Sequence, residues 1–166
     1  MISVIITSFK EPNLENAIKS ILNQKINYKH EIIIVAPDKE AEKLTRKYKI
    51  KYFKDPGKGK SFALNLLLKK IESEILILTD GDVILGNNSI NEIIELFKDP
   101  LIGCVTGRVV SANSKKNKYG YWSHLLFSGI DKVRKKKSDN KEFFECSGYL
   151  FAVRKGVIID FPLEAS

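Results

Sequence analysis

The sequence predicts an α/β protein in which a mostly parallel, Rossmann-like sheet is flanked by helices. Four short β-rich or apolar runs occur before residue 80, and segments with helical periodicity alternate with them. The run at 75–79 is almost entirely apolar, as in a strand buried on both faces of a parallel sheet. With 166 residues, 43% hydrophobic and 29% charged, the chain is long enough for one domain with a substantial core.

The first half of the chain provides three of these strands and two helices. The strands are predicted at residues 2–7, 31–35 and 50–54, the third alternating like an edge strand. Asn13 can cap a first helix that ends near Asn23. Its apolar stripe comprises Leu14, Ala17, Ile18, Ile21 and Leu22. A charged second helix follows residues 36–38 and ends near Lys47.

Two further helices flank the central strand, and the pattern then changes. After a turn at 55–60, Ser61 opens a helix whose apolar residues are Phe62, Leu66 and Leu67. Ser89 should cap a fourth helix, which buries Ile90, Ile93, Ile94 and Phe97. Beyond Pro100 the sequence predicts strands at 103–110 and 145–154, the second interrupted at Gly148, with an aromatic segment at 119–133 between them.

Two carboxylates follow the central apolar strand directly, as Asp80-Gly81-Asp82. Ligands of parallel sheets bind outside the carboxyl ends of the strands, which is where these side chains should lie. In a continuing strand they would point to opposite faces, but Gly81 allows the backbone to turn so that both approach one charge. Mg²⁺ or Mn²⁺ holding a diphosphate would supply that charge. Two solvated turn aspartates are the alternative.

The chain is basic, with 28 lysines and arginines against 20 aspartates and glutamates and a net charge of +8. This charge favours an anionic partner without choosing among nucleotides, phosphorylated carriers, nucleic acids and acidic membranes. Cys104 and Cys146 lie far apart without a CxxC motif, which favours free thiols over a metal site. No apolar run reaches the roughly 18 residues of a membrane span, and the N-terminus lacks a basic leader. We therefore expect a cytoplasmic protein.

Several short motifs, taken in their order and spacing, resemble the N-terminal catalytic part of a family 2 glycosyltransferase. They include residues 4–9 with Glu11, 20–24, 31–35, 59–65, 80–82, 107–108 and 147–148 with Arg154. The resemblance implies the A-type glycosyltransferase fold and inverting, metal-assisted transfer from a UDP- or GDP-sugar to a sugar or lipid-linked acceptor. It implies one domain over 1–166, with a nucleotide-sugar-binding half at 1–100 and the start of an acceptor-binding half at 101–166.

The resemblance also implies roles for residues at the end of the first two strands. Thr7, Ser8 and Glu11 would line the nucleoside pocket. Asp38 lies near the position of an acidic pair that often contacts the base in this family. In this chain Ala36 and Pro37 replace that pair, so Asp38 is a displaced candidate.

The diphosphate would be bound by the next motifs. By resemblance, Lys58 or Lys60 neutralises its charge, and Asn65 belongs to the helix motif that follows. Asp80 would contact the ribose or the metal, and Asp82 would coordinate the metal. Solvated turn charges are the alternative for the two lysines.

The acceptor side and the catalytic base are predicted from the same resemblance. Ser147 and Gly148 would lie near the acceptor, Gly148 allowing close approach of the sugar. Inverting transfer requires a carboxylate that takes the acceptor proton. The family supplies it from a Glu-Asp pair expected beyond Ser166, which suggests a C-terminally incomplete domain; Glu164 is a weaker candidate because a terminal residue is poorly held.

Three other classes of protein share some of these features. A P-loop requires a glycine five residues before Gly59, where the chain has Lys54. A haloacid-dehalogenase-like phosphatase would use Asp80 as nucleophile and Asp82 as acid or base, although such motifs normally lie near the N-terminus. A non-catalytic basic binding module would explain the net charge. It would not explain two carboxylates at a strand end, which repel phosphate without a metal, so no nucleic-acid partner is expected.

The aromatic segment makes a separate prediction about location. Trp122, Leu125, Leu126, Ile130 and Val133 have mostly helical spacing, and the basic run 134–137 follows them. Such a segment is able to lie on an anionic membrane, here the inner face. Packing into the core, followed by a solvated basic loop, is the alternative.

Overall fold

The computed structural model describes residues 1–140, 142 and 148–163. Strands and helices alternate along this part of the chain. The elements are β1 (Ile2–Thr7), α1 (Leu14–Leu22), β2 (His30–Ala36), α2 (Lys39–Tyr48), β3 (Lys51–Lys54), α3 (Lys60–Leu68), β4 (Ile75–Asp80), α4 (Ser89–Leu96), β5 (Cys104–Thr106), α5 (Lys118–Asp139) and β6 (Leu150–Arg154). None of these described helices has the length and apolar character needed to cross a membrane.

The strands form one six-stranded sheet in the order β3-β2-β1-β4-β6-β5. β3, β2, β1 and β4 pair in parallel, whereas β6 runs antiparallel to both β4 and β5. The predicted α/β class with a mostly parallel, helix-flanked sheet is confirmed, and β3 is the predicted edge strand. Because β1 and β4 pair with each other in parallel, their carboxyl ends lie side by side.

The sheet is buried on both faces, which explains the apolar runs in its central strands. On one face, residues such as Val4, Ile6 and Ile77 pack with α1 and α4. On the other face, Ile5 and Leu78 pack with α3. Among the described residues, none from α5 belongs to either core cluster.

The helix starts and stripes differ from the sequence prediction in detail. Leu22 is 41% exposed, while the other four residues of the α1 stripe are buried. Asn13 makes no side-chain cap; its own N–H donates to Glu11 Oε1 at 2.8 Å. Asn88, rather than Ser89, is the N-cap of α4, with φ 64°. The predicted apolar residues of α4 are buried.

In α3 the buried face is rotated relative to the prediction. Ala63, Leu64 and Leu67 are buried, whereas Phe62 and Leu66 are only half-buried. The prediction followed side-chain size, but the small Ala63 lets the helix lie close to the sheet. The larger residues then flank the contact.

The C-terminal strands are shorter than the sequence suggested. Only Cys104–Thr106 forms a strand within the predicted span 103–110. Gly107 still donates its N–H to Leu150 O at 2.8 Å, and the pairing ends there because β6 begins at Leu150, directly after the turn at 148–149. Gly148 lies in a turn before β6, and the predicted residues 145–147 lie outside the described part of the chain.

Helix α5 is held at its N-terminus by a close approach that only glycine permits. Asn117 Oδ1 accepts the Gly120 N–H at 2.7 Å, and a Cβ on Gly120 would lie 1.9 Å from the carbonyl oxygen of Ser114. Gly120→Ala must displace that loop, and we expect it to lower the free energy of unfolding by about 1–3 kcal/mol. Urea denaturation followed by circular dichroism measures this loss.

The matched control lies on the same helix. A Cβ on Gly129 meets nothing within 4 Å, so Gly129→Ala should stabilise α5 by up to about 1 kcal/mol through helix propensity. Equal urea midpoints for the two variants would contradict the role assigned to Gly120.

Candidate active site

A cavity of about 520 Å³ opens at the carboxyl ends of β1, β2, β3 and β4. This is the edge at which parallel sheets bind ligands. Its described lining consists of Thr7, Ser8, Phe9, Glu11, Val35, Pro37, Asp55, Gly57, Gly59, Lys60, Ala63, Asp80, Gly81 and Asp82. The structure therefore brings together the predicted residues from the β1 end, the loop before α3 and the acidic pair.

Asp80 is the last residue of β4, and the sheet register places it opposite Thr7. Thr7 Oγ1 donates to Asp80 Oδ1 at 2.6 Å, and Lys60 Nζ forms an ion pair with the same oxygen. Both contacts are to Oδ1, which leaves Oδ2 available as a metal ligand. Lys60, predicted to meet a diphosphate, neutralises Asp80 in this structure.

Asp82 is exposed and lies in the turn that follows β4. Gly81 does not adopt the left-handed conformation, so the expected need for its backbone freedom is wrong. The structure shows a need for space, because a Cβ on Gly81 would lie 3.0 Å from Ser8 Oγ and 3.3 Å from Glu11 Cγ. The Gly81 N–H donates to Thr7 O at 2.8 Å and fixes the turn against β1.

The residues present fit a divalent cation held jointly with a ligand. Within the described ranges, no group of three or more His, Cys, Asp and Glu side chains is arranged to hold a metal ion alone. Two aspartates are nevertheless the usual protein share of a Mg²⁺ or Mn²⁺ site completed by phosphate and water. Ser8 Oγ, beside Gly81, is buried without a hydrogen-bond partner among the described residues, which marks a polar position that a ligand can satisfy.

The β3 end of the cavity includes one carboxylate that the sequence did not single out as a site residue. Asp55 follows β3 and lines the cavity, and its Oδ1 accepts the Gly57 N–H at 2.7 Å. Its position directly after a parallel strand was the feature of the sequence that could have identified it as a site residue. Burial, followed by the negative charges of Glu42, Asp38 and Asp55, raises the pKa of nearby Tyr52.

Asp38 lies outside the cavity lining and has structural partners instead. It is the N-cap of α2, where Oδ1 accepts the Ala41 N–H at 2.9 Å and Oδ2 accepts the Lys10 N–H at 3.1 Å. The first bond caps α2, and the second ties the loop after β1 to the start of that helix. The structure thus assigns Asp38 a capping role and leaves contact with a base as a prediction.

Other predicted residues also lie away from this cavity. Lys58 Nζ stacks over the Phe62 ring at 5.3 Å. The Asn65 amide exchanges two hydrogen bonds with the backbone of Phe161, at 2.9 and 2.7 Å, and so ties the C-terminal segment to α3. Gly148 lies in the turn before β6, outside the lining of this cavity. Ser147 and Glu164 lie outside the described part of the chain.

A second cavity of about 850 Å³ adjoins the first, and Asp82 lines both. Its walls come from α4, the segment 105–113, and the inner side of α5. Phe127 of α5 and Tyr149 meet edge to face there, with centroids 5.8 Å apart. Arg108 Nε and Asp131 Oδ2, 2.9 Å apart, link the segment to α5.

This chain belongs to Glycosyl transferase family 2, whose sequence profile matches residues 3–161. The suspected family is thereby confirmed, and the phosphatase alternative is displaced. No curated protein matches by sequence.

Solved structures share the fold. A mannosyltransferase from Pyrobaculum calidifontis, in complex with GDP-Man and Mn²⁺, gives a TM-score of 0.71 at 19% identity over 98% of this chain and 48% of that chain. Glucosyl-3-phosphoglycerate synthase from Mycobacterium tuberculosis, with UDP, gives 0.62 at 14% identity, covering 93% and 57%. S. aureus TarS 1-349 with UDP-GlcNAc gives 0.56 at 18% identity, covering 70% and 38%.

The chain thus spans about half the length of the mannosyltransferase. At these identities the likeness establishes the glycosyltransferase A-type fold that the sequence predicted.

Proposed function

We propose that this chain binds a nucleotide-diphospho-sugar in the 520 Å³ cavity and places its sugar at the opening of the 850 Å³ cavity, where an acceptor attacks with inversion. The observation that carries the proposal is the position of Asp82, which lines both cavities directly after β4. A diphosphate held there has its nucleoside on one side and its transferred sugar on the other. Family membership and the GDP-Man, UDP and UDP-GlcNAc bound by the structural neighbours support this choice of donor.

In this proposal the two aspartates and the residues that contact Asp80 have separate roles. Asp82 and Asp80 Oδ2 would hold Mn²⁺ or Mg²⁺, which when bound acts as a Lewis acid on the leaving diphosphate. Thr7 orients Asp80 through its hydrogen bond of 2.6 Å. The Lys60 side chain is partly exposed and is able to turn from Asp80 toward a phosphate oxygen, adding a positive charge where negative charge develops.

The nucleoside would lie between the ends of β1, β2 and β3. Ser8 Oγ, buried and unpartnered among the described residues, would donate to the ligand. Asp55 supplies an acceptor at the same end. Inverting transfer also requires a carboxylate that takes the acceptor proton; no described residue is assigned this role.

Calorimetric titration tests the donor site. UDP and GDP would each be titrated with and without Mn²⁺, with UMP and GMP as controls that lack the second phosphate. We expect metal-dependent binding of at least one diphosphate, and at least about tenfold weaker binding of its monophosphate, because a monophosphate would offer the metal fewer phosphate oxygens. Binding that is absent, or independent of metal, would overturn the proposal and favour the basic binding module.

A further inference from the structure

The outer face of α5 is apolar, which is unusual for a helix at the surface of a globular domain. Gly120 is its only fully buried residue in the described chain. Trp122, Leu125, Leu126 and Val133 recur at helical spacing and form one stripe. Trp122 is 56% exposed and Leu126 61% exposed. Contiguous exposed apolar surface of this kind marks an interaction site.

The inner face of the same helix is already occupied. Phe127 lines the second cavity, and Asp131 pairs with Arg108 at 2.9 Å. The alternative prediction, that this segment packs into the core, is not met, because no described residue of α5 belongs to either core cluster. The apolar stripe points away from the cavity that α5 helps to form.

Lysines stand at both ends of the stripe. Lys118 lies at its start, and Lys132 and Lys136 lie at its end on the same side of the helix. The one acidic residue between Lys118 and Lys136 is Asp131, which lies on the inner side in its ion pair. An apolar stripe flanked by lysines complements the acyl region and the anionic headgroups of a membrane.

A second copy of the chain suits this face less well. Two copies packed through α5 would bring the same lysines together, and like charges across an interface oppose association. The aromatic residues favour a lipid boundary further, since Tyr119, which is 85% exposed, and Trp122 carry both apolar and polar atoms.

We propose that α5 lies in the surface of an anionic membrane, with its outer stripe in the headgroup boundary and its inner face forming a wall of the second cavity. The cavity would then lie beside the membrane, which suits an acceptor carried by a lipid. Attachment through α5 goes beyond sugar transfer and does not require it. Failure of donor binding would leave this proposal intact.

Trp122 provides a direct probe, because it is the only tryptophan of the chain. Vesicles of phosphatidylcholine with 30 mole per cent phosphatidylglycerol (about one anionic lipid in three) should shift its emission to shorter wavelength and carry the protein upward in a flotation gradient. Vesicles of phosphatidylcholine alone should do so much less. Protein that stays at the bottom with the anionic vesicles, with unshifted emission, would overturn the proposal.

Two variants test the two parts of the surface while keeping Trp122. Leu125→Glu with Leu126→Glu should abolish flotation. Lys118→Gln, Lys132→Gln and Lys136→Gln together should weaken binding on the order of 100-fold, since each lysine near an anionic surface contributes roughly fivefold. All five side chains are exposed, so the fold should be retained, and circular dichroism checks this.

Matched controls carry the same changes elsewhere. Leu22→Glu with Leu101→Glu, and Lys25→Gln, Lys29→Gln and Lys69→Gln, alter exposed residues outside α5 and should float like the unmodified protein. Equal loss in a control and its α5 variant would overturn the assignment to α5. So would a Trp122 shift that depends on protein concentration without vesicles and accompanies a dimer in light scattering, because a second copy would then cover the stripe.

Discussion

Asp82→Asn should abolish most of the metal-dependent affinity for a nucleoside diphosphate, weakening it at least about 100-fold, or about 2.7 kcal/mol. The change keeps the size of the side chain but removes one of the two carboxylate charges that a hard cation requires here. Asp82 is exposed, so its replacement should leave the fold unchanged. Calorimetry with Mn²⁺ and the tighter-binding diphosphate measures the loss.

The control for this variant is Asp139→Asn, which makes the same change at the exposed end of α5, outside both cavities. It should bind as the unmodified protein does. If Asp82→Asn retained its response to Mn²⁺ with similar affinity, the metal would not be held by the acidic pair, and the proposed donor geometry would be wrong.

Ile77→Ala should have the largest effect on stability, lowering the free energy of unfolding by about 2–5 kcal/mol. Ile77 is fully buried in the middle of β4, between Val4 of β1 and Ala152 of β6. The neighbouring strands are fixed by the sheet register, so the cavity left by the lost methyl groups cannot collapse fully. Urea denaturation at constant pH provides the measurement.

Ile159→Ala is the matched control, because it deletes the same side-chain atoms at a position that is 91% exposed to solvent. We expect a change within about 0.5 kcal/mol. Similar urea midpoints for the two variants would show that β4 is not the centre of the core.

The order of strands and helices up to α4 could be predicted from the sequence, because the local hydrophobic pattern of each element agrees with its burial in the fold. A strand buried on both faces is mostly apolar, and β1 and β4 have only Ser3, Thr7, Thr79 and Asp80 as polar residues. In the C-terminal half, the hydrophobic pattern predicted the ends of the strands less well. The predicted strand at 103–110 ends early because its partner β6 begins only at Leu150, and pairing between segments about 40 residues apart is not encoded in local periodicity.

The candidate site was predictable where position along a strand decided it. Thr7, Asp80 and Asp82 lie at carboxyl ends of strands, and they meet in one cavity. Asp55 occupies an equivalent end, but the sequence Asp55-Pro56-Gly57 is typical of a turn and does not by itself indicate a site residue. Asn65 was carried over from a family motif, and its actual partner, Phe161, depends on how the C-terminal segment folds back, which no motif states.

The placement of β6 also has a consequence for the synthesis of the chain. β4 pairs with β1, which has already left the ribosome, but its other edge waits for β6, whose residues come after α5. A nascent chain that has emerged only to the end of α5 therefore carries an open sheet edge made of the apolar run Ile75–Thr79. Such an edge is a template for pairing with other chains. The arrival of β6 both completes the sheet and ends the interval in which the unfinished protein is prone to aggregate.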